Sequence, residues 1–172
     1  MDEQERLAHL AKLLFEAARI GDVALLTEAT AGGAPANLMN PSGDTLLMLA
    51  AYHGHAEAVK VLLAAGAYPD QMNDRGQTPL GGATFKGYRD VAEVLMAAGA
   101  DPNGGSPSAM TMAIMFDRAD LLELFGVSTP EDLTTPEGET PEDLTTAEGE
   151  TPEGETAEGD FPGGDAAGRT AN

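Results

Sequence analysis

Apolar and small residues return along this chain at a fixed interval. The run Val59-Lys60-Val61-Leu62-Leu63-Ala64-Ala65-Gly66-Ala67 is matched 33 residues later by Ala92-Glu93-Val94-Leu95-Met96-Ala97-Ala98-Gly99-Ala100. The same shift carries Gly21 onto Gly54 and then Gly87, Gly43 onto Gly76, and Thr45 onto Thr78. Each run reads as a helix with an apolar side, Leu62 and Leu63 in one and Val94 and Leu95 in the other, closed by a glycine suited to a left-handed backbone. Thr45 and Thr78 stand where a hydroxyl can cap the first helix of each unit, and Pro79 suits the first helical position, which needs no backbone N–H. Gly43 and Gly76 fit the tight turn between units. Ala50, Ala51 and Ala83 are small enough for helices to approach closely. Units of this length cannot bury their apolar sides alone and must stack into one continuous core.

The two ends of the array differ from its middle. The first unit enters directly through a helix, Leu13-Leu14-Phe15-Glu16-Ala17-Ala18-Arg19-Ile20-Gly21, with Asp2 placed to cap an extended N-terminal portion that would cover the open end. The last unit aligns at a shift of 30, which sets Thr78 on Ser108, Ala83 on Ala113, Asp90 on Asp120 and Leu95 on Phe125. Three residues are therefore missing from its turn, between Asn103 and Ser108. About four units result, over residues 10–37, 38–70, 71–103 and 104–127, and residues 1–127 form one domain.

One unit reads Asn73-Asp74-Arg75-Gly76-Gln77-Thr78-Pro79-Leu80, with Gly87 ahead of its second helix and Gly99-Ala100-Asp101-Pro102-Asn103 at its end. The unit before it reads Asn40-Pro41-Ser42-Gly43-Asp44-Thr45-Leu46-Leu47, then Ala50-Ala51-Tyr52-His53-Gly54-His55 and Gly66-Ala67-Tyr68-Pro69-Asp70. Over residues 10–125 this resembles the ankyrin-repeat family. The resemblance implies an all-α solenoid of helix-turn-helix repeats that binds other proteins, without catalysis and without a cofactor. The family's Thr-Pro-Leu-His histidine, which ties neighbouring repeats together, is replaced here by Met48 and Gly81. Gly81-Gly82 inside a helix costs about 1 kcal/mol per glycine relative to alanine, so this helix is expected to be locally soft or closely approached by a neighbour.

Charge is distributed unevenly. Residues 1–127 carry 16 acidic against 8 basic side chains, net −8, while residues 128–172 carry 13 against 1, net −12, giving the −20 of the whole chain. The C-terminal part is a short-period tract: Thr129-Pro130-Glu131-Asp132-Leu133-Thr134-Thr135-Pro136-Glu137-Gly138-Glu139 recurs nearly unchanged from Thr140, and truncated copies follow. Its large apolar side chains are Leu133, Leu144 and Phe161, too few to offset chain entropy, so residues 128–172 are expected to be disordered. Three uses remain open for that tail: a self-repelling solubilising spacer, a recognition arm for a basic partner, or phosphorylation at sites such as Thr134 and Thr145.

The acid excess argues against nucleic acid and anionic membrane as partners, since both recruit clustered Lys and Arg. Met1-Asp2-Glu3-Gln4-Glu5-Arg6 lacks the basic segment of a signal peptide, and no apolar run approaches the ~20 residues of a membrane span, so a cytoplasmic location is expected. With no cysteine there is no thiolate chemistry. His53-Gly54-His55 has no third ligand at metal spacing, and Ser42, Ser106, Ser108 and Ser128 fall in turns or the linker, away from any histidine that could act as a base.

The family resemblance implies that a partner lies across the concave face. Carried over by motif, the exposed ends of the inner helices form two rows, Arg19, Tyr52, Phe85, Met115 and Ile20, His53, Lys86, Phe116, while Pro41, Ser42, Asp44, Asp74, Arg75 and Gln77 mark the turn tips. Aromatic residues at the same place in adjacent units, Tyr52 and Phe85, have the composition of interface hot spots. They are expected as two exposed rings about 10 Å apart, the ordinary spacing of packed helices. The alternative is that the two rings lean on each other and shield the inner helices. The partner is an unidentified protein bound by a monomer; the second reading is an acidic inhibitor or immunity-type protein that masks a basic surface.

Overall fold

A computed structural model describes residues 2–127, and the acidic tract lies outside the described residues. Eight helices are present among them: α1 (Glu3–Ile20), α2 (Val23–Ala31), α3 (Leu46–Tyr52), α4 (Ala56–Ala64), α5 (Pro79–Lys86), α6 (Arg89–Ala97), α7 (Ala109–Met115) and α8 (Ala119–Leu124). They stack in two layers. In the inner layer α3 packs between α1 and α5, and α5 between α3 and α7; in the outer layer α4 lies between α2 and α6, and α6 meets α8.

Local chemistry starts each inner helix. Thr45, Thr78 and Ser108 accept hydrogen bonds from the backbone N–H three residues on, and Pro79 opens α5. Asp2 and Glu5 make a reciprocal capping box on α1. The glycines at the helix ends take positive φ, as at Gly66 (94°) and Gly99 (89°), and the turn glycines Gly43 and Gly76 do so at 77° and 74°. The core runs the length of the stack through Leu14, Leu26, Leu47, Leu62, Leu80, Leu95 and Leu121, all buried, each contributing about 1.5–3 kcal/mol of burial free energy. Leu62 and Leu95 are fully buried, while Leu63 and Val94 pack against the core from its edge.

The helix containing Gly81-Gly82 runs unbroken, and both glycines are buried. A Cβ at Gly81 would lie 3.8 Å from the Met112 methyl of α7, an ordinary contact, and tighter, 3.2 Å, against Thr78 Oγ1 at the cap of its own helix, so α7 packs up to this glycine without filling the place of a Cβ. Residues 2–10, the N-terminal extension of α1, are themselves exposed.

A second column of contacts locks each unit to the one before. The residue just ahead of each outer helix lies on the glycine that ends the preceding inner helix: His55 on Gly21, Tyr88 on Gly54 and Arg118 on Gly87. His55 Nε2 also donates to the Arg19 carbonyl at 2.7 Å. At the next step, where the pattern would place another glycine, Asp117 holds the left-handed backbone itself (φ 51°).

Candidate functional site

The inner helices end on one face of the stack, and their last residues build a continuous aromatic ridge there. The Tyr52 and Phe85 rings lie nearly parallel, 9° apart, with centroids 6.4 Å from each other. Phe116 meets Phe85 edge-on at 5.5 Å. Lys86 Nζ sits 5.0 Å from the centroid of the Tyr52 ring, a cation–π geometry, and the His53 ring stands edge-on to Tyr52 at 5.3 Å. Met48, occupying the place of the family's histidine, is buried in a small cluster with Tyr52, and Phe85 packs against it.

The two rows expected from the sequence are not separate. Two second-row residues lean diagonally back onto the first-row aromatic of the preceding unit, Lys86 onto Tyr52 and Phe116 onto Phe85, while His53 meets Tyr52 within its own unit. This closes Tyr52 off. It is 1% exposed, so the expected pair of exposed rings about 10 Å apart is corrected to a buried Tyr52 stacked under a half-buried Phe85. Met115 is 42% exposed and Ile20 61%, and these flank the ridge, while His53, Lys86 and Phe116 are half-buried.

At the turn tips the structure divides the predicted set. Asp74 and Arg75 are exposed. Asp44 and Gln77, expected to reach a partner, are instead buried, 1% and 7% exposed. Asn73 accounts for both: its side-chain amide donates to Asp44 Oδ1 and to Gln77 Oε1, each at 2.8 Å. Its own Oδ1 accepts from the backbone N–H of Arg75 and Gln77 at 3.0 Å. Asn40 repeats the arrangement in the preceding turn, accepting from Ser42 and Asp44 N–H at 2.9 Å. Consecutive tips are tied by the Asp74 N–H to the Ser42 carbonyl and the Ser106 N–H to the Gly76 carbonyl.

Two exposed side chains went unnoticed in the sequence, Met39 and Met72, 52% and 43% exposed and immediately ahead of Asn40 and Asn73. They are one interval of 33 residues apart, so the same self-comparison contains them.

The two histidines of His53-Gly54-His55 are spoken for by structure, one against Tyr52 and one against Gly21. Among the described residues, no three His, Cys, Asp or Glu side chains gather as a metal site would require, and no helix is long and apolar enough to cross a membrane. Away from the ridge, Arg89 is held above its ordinary pKa by its hydrogen bond to Glu93, and its guanidinium also donates to the Asp120 carbonyl at 2.8 Å.

A family model described as ankyrin repeats, in three copies, matches residues 14–105. A Pseudomonas aeruginosa protein named as an ankyrin repeat protein is 50% identical over 48 residues, a stretch that covers 28% of this chain and 28% of that protein.

Proposed function

The chain belongs to the ankyrin-repeat family, whose stacks are protein-interaction modules, and on that premise we propose that it is a small cytoplasmic adaptor or regulator that binds a partner protein across its inner-helix face. It acts as a monomer, without catalysis or cofactor, and its partner is neither nucleic acid nor membrane. The observation that carries this reading is the ridge of Phe85, Lys86 and Phe116, half-exposed aromatic and cationic side chains held rigid by mutual contact and bordered by exposed Met115 and Ile20. Pre-formed aromatic anchors lose little rotamer freedom on binding, and that is where interface energy concentrates. Exposed Asp74 and Arg75 extend the surface to the turn tips, together with Met39 and Met72.

A second reading draws on charge. At −20 the chain suits an inhibitor or immunity-type role, covering a basic surface. The two readings separate by salt: masking of a basic surface weakens steeply between low and moderate ionic strength, whereas contact through the ridge changes little.

The test is affinity capture from native lysate with the wild-type chain, Phe85→Ala and Lys86→Glu, followed by affinity measurement on the partner recovered. Loss of tenfold or more in Phe85→Ala is the expected result, about 1.4 kcal/mol or more at one anchor. A partner held with unchanged affinity by both variants refutes the ridge as the binding surface.

A further inference from the structure

Seven of the eight methionines lie among the described residues, and they divide by where they sit. Met48 and Met112 are buried, 0% and 6% exposed, and Met96 and Met110 pack half-buried against the core. Met39, Met72 and Met115 are 52%, 43% and 42% exposed. All three stand on the surface proposed above to meet a partner, Met39 and Met72 just ahead of the turn tips and Met115 as the last residue of α7, next to Phe116 of the ridge. The methionines that hold the fold and those that face outward are thus different residues.

The chain has no cysteine, so methionine thioethers are its only sulfur open to an oxidant. A thioether lone pair attacks one oxygen of hydrogen peroxide; the O–O bond breaks as the S–O bond forms, and sulfur loses two electrons. The departing hydroxide takes the proton left on the transferred oxygen, so one peroxide yields one sulfoxide and one water. The change puts a strong hydrogen-bond acceptor where an apolar side chain stood. Transfer needs contact between oxidant and sulfur, which favours the exposed set. Met48, packed with Tyr52 and Phe85, would break the ridge from within if oxidised, and burial keeps the oxidant from it.

We propose that Met39, Met72 and Met115 are reversible oxidation sites for a peroxide, and that the sulfoxide at Met115 loosens the hold of the ridge on its partner. The second half rests on the ridge being the binding surface; the first half does not. A sulfoxide covered by a partner has its oxygen cut off from water, whereas an intact thioether adapts to irregular apolar surfaces. Methionine sulfoxide reductases, one for each epimer at sulfur, are the class of enzyme that consumes the product, a dithiol supplying two electrons and two protons while the oxygen leaves as water. Exposure opens the same three side chains to oxidant and to reductase alike.

The full chain is treated with hydrogen peroxide, and sulfoxide at each methionine is followed by mass spectrometry of its peptides. Met39, Met72 and Met115 oxidise about tenfold or more faster than Met48 and Met112, since oxidation follows exposure. The urea midpoint of the chain oxidised at those three stays at the wild-type value, and the two reductases with dithiothreitol return them to thioethers. Affinity for the partner recovered with the wild-type chain is then compared before and after oxidation, with peroxide removed before the partner is added. It falls about fivefold or more, as for one buried acceptor left unpaired. In Met115→Leu, compared with itself in the same way, it does not fall, although Met39 and Met72 are oxidised as before. Equal rates at exposed and buried methionines overturn the site assignment, and so does a midpoint that drops when only the three are oxidised. An affinity that falls as far in Met115→Leu as in wild type, or falls in neither, overturns the role of Met115. The rates need no partner, so they decide the oxidation sites even where Phe85→Ala has refuted the ridge.

Discussion

Asn73 reaches across a unit boundary to place its side-chain amide 2.8 Å from the Asp44 carboxylate, and that carboxylate is buried. The contact joins one turn to the next at the level where the exposed tips begin. A buried charge is tolerated only where hydrogen bonds replace water, and here Asn40 and Asn73 both donate to it.

Asn73→Ala should therefore act on two units at once. It removes two donated and two accepted hydrogen bonds and leaves Asp44 under-satisfied. The expected loss is about 2–4 kcal/mol, read from the urea midpoint. A loss near that of an ordinary surface substitution would show that water replaces the amide without cost.

Paired glycine substitutions test the locking column. Gly54 and Gly66 both have positive φ, 80° and 94°, so an alanine at either carries backbone strain of about 1–2 kcal/mol. At Gly66 a Cβ meets nothing within 4 Å, whereas at Gly54 it would lie 2.9 to 3.0 Å from the Tyr88 ring. Gly54→Ala should cost at least about 1 kcal/mol more than Gly66→Ala in urea unfolding, the cost of displacing a packed side chain. Equal costs would mean that the ring swings away freely.

Asp117→Gly should stabilise the last unit. Asp117 holds φ 51° where the earlier units use glycine. Relief of left-handed strain outweighs the added freedom of the unfolded chain by about 0.5–1 kcal/mol. Hydrogen exchange of the α7 and α8 amides reads the effect locally, as slower exchange confined to those helices.

Tyr52→Ala should behave as a core truncation, costing about 3–5 kcal/mol, because the ring is 1% exposed beneath Phe85 and Lys86. Phe85→Ala, at the half-buried surface of the ridge, should lower stability less and partner affinity more. A Tyr52→Ala chain of wild-type stability would contradict the packing.

What the sequence disclosed and what it withheld follow from the range of the interactions. Thr45, Thr78 and Ser108 are caps because a hydroxyl and a backbone N–H three residues on are neighbours in any helix start, and such local rules are readable one unit at a time. The interval and its shortening to 30 at the last unit were equally plain, since both need only self-comparison. Burial at the candidate site was not. Tyr52 is covered by Lys86 and Phe85 of the next unit, and Asp44 by Asn73 of the next turn. Those contacts depend on which way a long side chain leans between repeats, and spacing along the chain does not encode it. The exposure at the start of α1 escaped for a related reason: leucines 7, 10 and 14 look like core, and only their surroundings reveal that two of them are left uncovered.

The column of residues lying on glycines also decides whether stacks can grow end to end. A final unit that offered a bare glycine would present a ready seat for the first unit of another molecule, the geometry from which open-ended fibres arise. Here that seat is filled by Asp117, and the residue that a second molecule would bring to it, equivalent to His55, Tyr88 and Arg118, is Asp22. Carboxylate would face carboxylate. An aspartate at the last step thus sets like charge where a second stack would have to seat, which disfavours growth of the array end to end.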